Sequence, residues 1–246
     1  MESILVGEGK TARVYKIDDH AFKQYEKISY DEIIREANYQ TMAWEAGLPV
    51  PQVFGVVNLE EGSMAIEMEY VEGQPLIRRG MDRDQRMQAL EQLVKLQYKV
   101  HQIEARDLPM QAKVLEQKIK VAALDDTIKT SIIQKLTGLV HQKQRLCHGD
   151  FHPFNVLQSE QSFWIIDWVD ATCGDPLADA CRTYLILKQY LTRMAEIYLR
   201  LYCKQAQVTQ EEVLHWLPVI AAARLSENLT RQEEHDLVKL IHSLLP

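Results

Sequence analysis

His148-Gly149-Asp150-Phe151-His152-Pro153-Phe154-Asn155 is followed, twelve residues after Asn155, by Asp167 in Phe163-Trp164-Ile165-Ile166-Asp167-Trp168. Asp150 can accept or orient the proton of an attacking hydroxyl, which is useful only where a neighbouring group delivers an electrophilic phosphorus. Asn155 and Asp167 offer hard oxygen ligands, suited to Mg²⁺ and poorly suited to zinc. The runs 155–158 and 163–167 are short, apolar and β-rich, and the polar turn Ser159-Glu160-Gln161-Ser162 lies between them. They predict a hairpin. A hairpin brings its ends together, so Asn155 entering and Asp167 leaving form a two-ligand metal cradle. Any one of these residues alone reads as a loop turn or a surface acid; the ordered set does not.

Toward the amino terminus, residues 3–7, 13–17 and 20–25 alternate apolar and polar positions. Gly7-Glu8-Gly9-Lys10-Thr11 and Asp18-Asp19 separate them, and the pattern predicts three antiparallel strands. Gly7 and Gly9 let a backbone turn lie close over phosphates. Gly9-Lys10-Thr11 imitates the end of a Walker P-loop, but that motif needs glycine where Ile4 stands. A helix is predicted over 29–46, with Ser29 as N-cap and Gly47 as its stop. Its acids are Asp31, Glu32, Glu36 and Glu45. Residues 65–71 read as an edge strand that runs into a linker at Glu72-Gly73.

Downstream the pattern turns helical. From 82 to 103 apolar residues recur at three and four, the mark of a helix with one buried face, closed by His101. Further helices are predicted over 111–124, 127–142, 176–191, 193–204, 210–226 and 230–245. Glu211, Glu212, Glu227, Glu233 and Glu234 fall on these amphipathic helices and read as solvated.

Four separated motifs then carry a resemblance. His148, Asp150 and Asn155 stand as H-G-D-x-x-x-x-N, and Ile166-Asp167-Trp168 ends an apolar strand. Gly174-Asp175-Pro176-Leu177-Ala178-Asp179 follows, and Gly47-Leu48-Pro49-Val50-Pro51 precedes. In this order they resemble the aminoglycoside phosphotransferase and choline kinase family, the small-molecule branch of the protein-kinase-like fold, over most of residues 1–190. The resemblance implies an α+β, bilobal fold. Residues 1–71 would form a nucleotide-binding small lobe of antiparallel β with one helix, and residues 72–246 a mainly helical large lobe for catalysis and substrate binding.

It also implies roles. Lys23, or less favourably Lys16, holds the α- and β-phosphates of ATP, and Glu36 pairs with that lysine. Gly7 and Gly9 cover the phosphates, and main-chain groups of Glu69 and Val71 take the adenine. Asp150 positions the acceptor hydroxyl, and Asn155 and Asp167 hold Mg²⁺. His148 braces the loop, and His152 is left between bracing and substrate contact. Phe154 stands where many relatives have glycine.

Three functional classes fit such a chain. A small-molecule kinase moves the γ-phosphoryl group to a hydroxyl of an aminoglycoside-, amino-alcohol- or sugar-like acceptor. A protein Ser/Thr kinase is the second, but His152 replaces the usual catalytic-loop lysine, Asp167-Trp168-Val169 replaces D-F-G, and no A-P-E follows. Only seven residues separate Asp167 from Asp175, too few for a phosphorylatable activation loop. The third is a nucleotide-binding pseudokinase, although every catalytic position holds a competent residue.

Composition agrees. The 246 residues, 46% hydrophobic and 26% charged, suit a globular chain of one large domain or two modest lobes. No apolar run approaches the ~20 residues that span a bilayer, and the opening Met1-Glu2-Ser3 is no leader. Cys147, Cys173, Cys181 and Cys203 lack metal-ligand spacing and read as reduced cytoplasmic thiols. A pI of 5.7 without a basic, aromatic-interleaved stripe disfavours nucleic acid. Residues 1–71 carry 6 basic and 13 acidic side chains, while residues 72–246 carry 22 of each. A polycationic acceptor wants a strongly acidic cleft, which a neutral large lobe does not promise. Residues 108–146, with 7 basic and 3 acidic side chains, read as two ordinary helices, with a face toward an anionic substrate as the alternative.

Overall fold

In the computed structural model the described residues are 3–9, 11–59, 62–139, 144–160 and 162–245. Met1, Glu2, Lys10, Gln161 and the 140–142 end of one predicted helix lie outside them. The alternating segments near the amino terminus form β1 (Ile4–Glu8), β2 (Ala12–Ile17) and β3 (His20–Tyr25). Helix α1 (Tyr30–Glu45) starts in a capping box: Ser29 Oγ accepts from the Glu32 N–H, and the Glu32 carboxylate accepts from the Ser29 N–H. It stops at Gly47, whose φ of +76° is the left-handed conformation that glycine adopts without penalty.

Strands β4 (Val53–Asn58) and β5 (Met64–Glu69) complete a five-stranded antiparallel sheet of order β1-β2-β3-β5-β4. The strand predicted over 65–71 is therefore interior, not an edge. It pairs with β3 on one side and with β4, which the sequence pattern did not reveal, on the other. Gly55 and a register shift between Val53 and Gly55 blur the period-two signal of β4. Helix α1 packs on β4 and β5, and Ala12, Tyr25, Ile33, Ala37 and Ile66 close the core beneath it.

The remaining elements are β6 (Gln74–Pro75), α2 (Arg83–Val100), α3 (Gln111–Val121), α4 (Asp126–Leu139) and β7 (Arg145–Cys147). After them come β8 (Val156–Gln158), β9 (Phe163–Ile165) and β10 (Thr172–Gly174), then α5 (Pro176–Tyr190), α6 (Thr192–Ala206), α7 (Gln210–Leu214), α8 (Leu217–Arg224) and α9 (Arg231–Leu244). Strands β8 and β9 form the predicted hairpin, and β6 adds to β8 as a third strand. By packing, one unit comprises Met1–Arg79 with Pro153–Asp170, and the other Gly80–His152 with Ala171–Pro246. The hairpin thus packs with the amino-terminal sheet, because β6 pairs with it and the Ile165 N–H donates to the Pro49 carbonyl.

In the second unit α2 and α5 pack on α6, and α3, α4, α5 and α9 surround α8. All eight residues of α8 are buried, as expected of a helix apolar on nearly every side. The helix predicted over 210–226 is two. Pro218 lies in the first turn of α8, where its missing N–H costs nothing, whereas inside a continuous helix it would break a hydrogen bond and clash with the preceding turn. Strand β10 pairs with β7. A methyl group on Gly174 would lie 2.4 Å from Gln111 Cβ, an atom fixed to the backbone at the start of α3. Gly174→Ala is accordingly expected to cost about 1–3 kcal/mol by overpacking, measured by urea unfolding. The four cysteines are buried and form no disulfide. Among the described residues no helix is long and apolar enough to cross a membrane.

Candidate active site

Two groups of the singled-out residues are drawn together, one in each unit. In the first, Lys23 sits mid-way along β3, paired with Val14 on β2 and Ile66 on β5. Its Nζ donates to Glu36 Oε1 at 2.5 Å and to Asp167 Oδ1 at 2.8 Å. Glu36 belongs to the buried stripe of α1 with Ile33, Ala37, Gln40 and Ala43, and its side chain is only 3% exposed. A carboxylate at such a position needs a cation. Burial alone would lower the Lys23 pKa, but the charges of Asp167 and Glu36 outweigh it and the pKa is raised, so the ammonium is retained. Lys16, the alternative lysine, instead lies over the Tyr70 ring, 4.2 Å from its centroid.

Asn155 and Asp167 flank the open end of the hairpin, just before β8 and just after β9. The Ile166 N–H donates to the Asn155 carbonyl, which seats Asn155 opposite the residue before Asp167. Asp167 has a φ of +68°, a left-handed conformation tolerated by aspartate and asparagine better than by most residues. Trp168 directly after it is buried, its Nε1 donating to the Ile165 carbonyl. One amide oxygen and one carboxylate are the hard, sparse donor set that Mg²⁺ takes when substrate phosphates complete its shell. The residues fit that ion.

The other residues that the resemblance would set at a nucleotide lie along the five-stranded sheet or just beyond it. Gly7 pairs with Val14, which pairs with Lys23; Gly7 is thus two strand spacings, roughly 10 Å, from the lysine. The Gly9 N–H donates to the Ala12 carbonyl and closes the β1–β2 turn. Glu69 ends β5, its N–H already donated to Gln52, and Val71 follows beyond the strand.

In the second unit α5 holds the loop that carries Asp150. Asp175 caps this helix, its side chain accepting from the Leu177 N–H. One face of α5 then supplies Asp179, Arg182 and Thr183, spaced i, i+3 and i+4. Asp179 accepts from the N–H groups of Gly149 at 2.8 Å and His148 at 3.3 Å. Thr183 Oγ1 donates to the Phe151 carbonyl at 2.7 Å. Arg182 Nη2 donates to Asp150 Oδ1 at 3.0 Å, while His152 Nε2 lies 3.3 Å from Oδ2. His148 Nδ1 accepts from the Asp150 N–H, a brace within the loop. Gly149, with a φ of +82°, makes the turn that presents Asp150. Burial would raise the Asp150 pKa, but the His152 hydrogen bond and then the Arg182 charge hold it well below the usual carboxylate range.

Arg182, Thr183 and Glu227 were not singled out from the sequence. The first two were legible in principle, as the helical neighbours of Asp179. Glu227, read there as solvated, instead accepts from Arg182 Nη1 at 2.6 Å and is largely covered. It lies in the segment after α8, so no helical face turns it to water.

His101 closes α2 and is buried. Its Nε2 lies 3.0 Å from Asp179 Oδ2 and its Nδ1 2.8 Å from the Tyr202 hydroxyl; a proton on Nε2 satisfies both contacts. Burial would raise the Asp179 pKa, but the hydrogen bond and charge of His101, the charge of His148 and the Gly149 N–H lower it. A lowered folded-state value stabilises the fold above the unfolded pKa of about 3.9, and that contribution disappears as pH falls through the folded value. Asp179→Ala is expected to cost about 3–5 kcal/mol at pH 7, since it orphans several buried donors. In denaturant titrations the gap to wild type should narrow on acidification below about pH 4.

A family model described as the phosphotransferase enzyme family matches residues 4–217. The chain belongs to that family. This phosphotransferase also superposes on solved structures. The GDP complex of aminoglycoside 2'-phosphotransferase-IIIa gives a TM-score of 0.66 at 17% identity, covering 99% of this chain and 92% of that one. A thermostable mutant of aminoglycoside phosphotransferase APH(4)-Ia, in ternary complex with ADP and hygromycin B, gives 0.68 at 16%, covering 98% and 91%. Aminoglycoside-3'-phosphotransferase of type VIII gives 0.66 at 19%, covering 90% and 93%. At these identities the likeness is one of fold: mixed α+β and protein-kinase-like, with an antiparallel amino-terminal sheet and a mainly helical remainder. No curated protein matches the sequence.

Proposed function

We propose that the phosphotransferase moves the γ-phosphoryl group of Mg-ATP to a hydroxyl of a small molecule. The observation that carries this reading is Lys23, held at once by Glu36 and Asp167: a fixed ammonium beside a metal-ligand carboxylate suits a polyphosphate and little else. Residues 1–71 bind the nucleotide, with the Gly7–Gly9 turn over the phosphates, Lys23 on the α- and β-phosphates, and main-chain groups of Glu69 and Val71 on the adenine. Asn155 and Asp167 hold Mg²⁺, which when bound supplies charge neutralisation on the phosphates. Residues 72–246 provide catalysis and acceptor binding.

Asp150 accepts a hydrogen bond from the acceptor hydroxyl and aims its oxygen. The new bond forms from that oxygen to the γ-phosphorus, and the bond from the γ-phosphorus to the β,γ-bridging oxygen breaks. ADP leaves with the electron pair, and the hydroxyl proton departs by way of Asp150 to solvent. A carboxylate with a lowered pKa is a weak base, so Asp150 contributes more by orientation than by early proton removal, as suits a loose transition state.

Related folds have been solved with kanamycin and with hygromycin B, which makes polyhydroxylated small molecules the first acceptors to try. The test is a phosphoryl-transfer screen with Mg-ATP and Mg-GTP over aminoglycosides, amino alcohols, sugars and hydroxy acids, with Asp150→Ala as the blank. Acceptor-dependent ADP release absent from the blank is the expected result. Transfer to a generic protein substrate alone would overturn the reading.

A further inference from the structure

Helices α2 and α6 pack on each other, and between their amino-terminal turns they leave a cavity of about 480 Å³, within the roughly 300–1,000 Å³ of small-molecule sites. Helix α2 lines it with Arg83, Arg86, Met87 and Leu90, spaced i, i+3, i+4 and i+7 on one face. Helix α6 adds Arg193, Met194 and Ile197. Leu90 and Met194 are buried, Met87 and Ile197 half-buried, and the three arginines exposed. The cavity thus has an apolar floor and a cationic rim. His101, which reaches the Asp150 loop through Asp179, closes the other end of α2, roughly 15–25 Å away along the helix.

The rim runs against what these helices need. Arg83, Arg86 and Arg193 stand in the opening turns of α2 and α6, where the helix dipole is positive and favours acids. Arg83 and Arg86 are moreover like charges at i, i+3, an unfavourable pair. Asp82 is committed to capping α2, accepting from the Gln85 N–H, and α6 has no acid in its first turn. Asp84, the other acid at the start of α2, directly follows Arg83, and adjacent positions do not share a helix face. Among the described residues none of the three guanidinium groups has a hydrogen-bond or ion-pair partner. Cations gathered at such a place cost stability and return none to the fold, which marks a site shaped for a ligand.

We propose that this cavity binds a single-chain amphiphile with an anionic head, its alkyl chain on Met87, Leu90, Met194 and Ile197 and its carboxylate or phosphate held by Arg83, Arg86 and Arg193. Floor and rim together require both halves of such a molecule. An inorganic anion leaves the apolar floor in water, and an uncharged chain leaves the guanidinium forks without acceptor oxygens. The floor is recessed between two helices, so it takes one chain and not the plane of a bilayer.

The test is calorimetric titration of the full chain with hexanoate, octanoate, octyl phosphate, octanol and octylammonium, each below its micelle concentration. One of the two eight-carbon anions is expected to bind at least roughly tenfold more tightly than octanol, with octylammonium weakest, and the favoured anion tells carboxylate from phosphate. Octanoate should exceed hexanoate by roughly tenfold for its two further methylenes. Arg86→Gln and Arg193→Gln should each weaken the favoured anion by roughly tenfold and leave octanol unchanged; both side chains are exposed, so unfolding midpoints should hold. Met87→Ser should instead shrink the preference for octanoate over hexanoate. Octylammonium binding as tightly as octanoate, anion binding indifferent to both arginine variants, or no saturable binding of any probe overturns the proposal. Cosedimentation with anionic phospholipid vesicles should be absent; arginine-dependent attachment to vesicles without binding of the monomeric anions would give the rim to a membrane surface and also overturn it. Phosphoryl transfer stands or falls separately, by its own acceptor screen.

Discussion

Asp150→Ala is expected to lower kcat by roughly 10²–10⁴-fold while nucleotide affinity, measured by calorimetry, is largely kept. The loss follows from position: the carboxylate is held by Arg182 and His152, and its loop is pinned through Asp179 and Thr183. The fold should survive the change. Arg182 keeps its 2.6 Å bond to Glu227, so removal of Asp150 does not leave the guanidinium without an anion. Unfolding midpoints near wild type would confirm that lost turnover is lost chemistry. Unchanged turnover would remove Asp150 from the reaction.

Lys23→Met should be the most damaging change in the amino-terminal unit, and on two counts. It leaves Glu36 buried without its cation, a situation that costs about 3–5 kcal/mol. It also removes the ammonium proposed to hold the phosphates, which should lower kcat/KM by roughly 10²-fold or more. The two effects separate in Lys23→Met/Glu36→Met, where no orphaned charge remains. Urea unfolding of the double variant should recover most of the lost stability, whereas phosphoryl transfer should stay lost. If activity returned with stability, the lysine would be a structural partner of Glu36 and no more.

Local signals in the sequence carried far where side chain and backbone act within a few residues. Ser29 caps α1, Gly47 ends it, and β8 pairs with β9 as the β-rich runs imply. Glu36 stood out among the acids of its helix only through the family resemblance, and it meets Lys23. Features decided by distant partners were not legible. β5 lies inside the sheet because β4 pairs with it, and three-residue strands such as β7 and β10 are too short to show a period. Pro218 was readable as a break, but the strong apolar run on either side masked it. Glu227 belongs to the same class: an acid between helices declares nothing until Arg182 is seen to reach it.

The left-handed backbone at Asp167 bears on how that residue should be dissected. Alanine there discards the carboxylate and also pays about 1–2 kcal/mol to keep a conformation it dislikes, so the peptide would tend to turn over and carry Trp168 out of its packing. An alanine scan would then charge to metal binding what belongs to main-chain geometry. Asparagine tolerates the same dihedral and has nearly the same shape, so Asp167→Asn subtracts the negative charge alone, and the difference between the two variants measures how much of this position is electrostatics and how much is hinge.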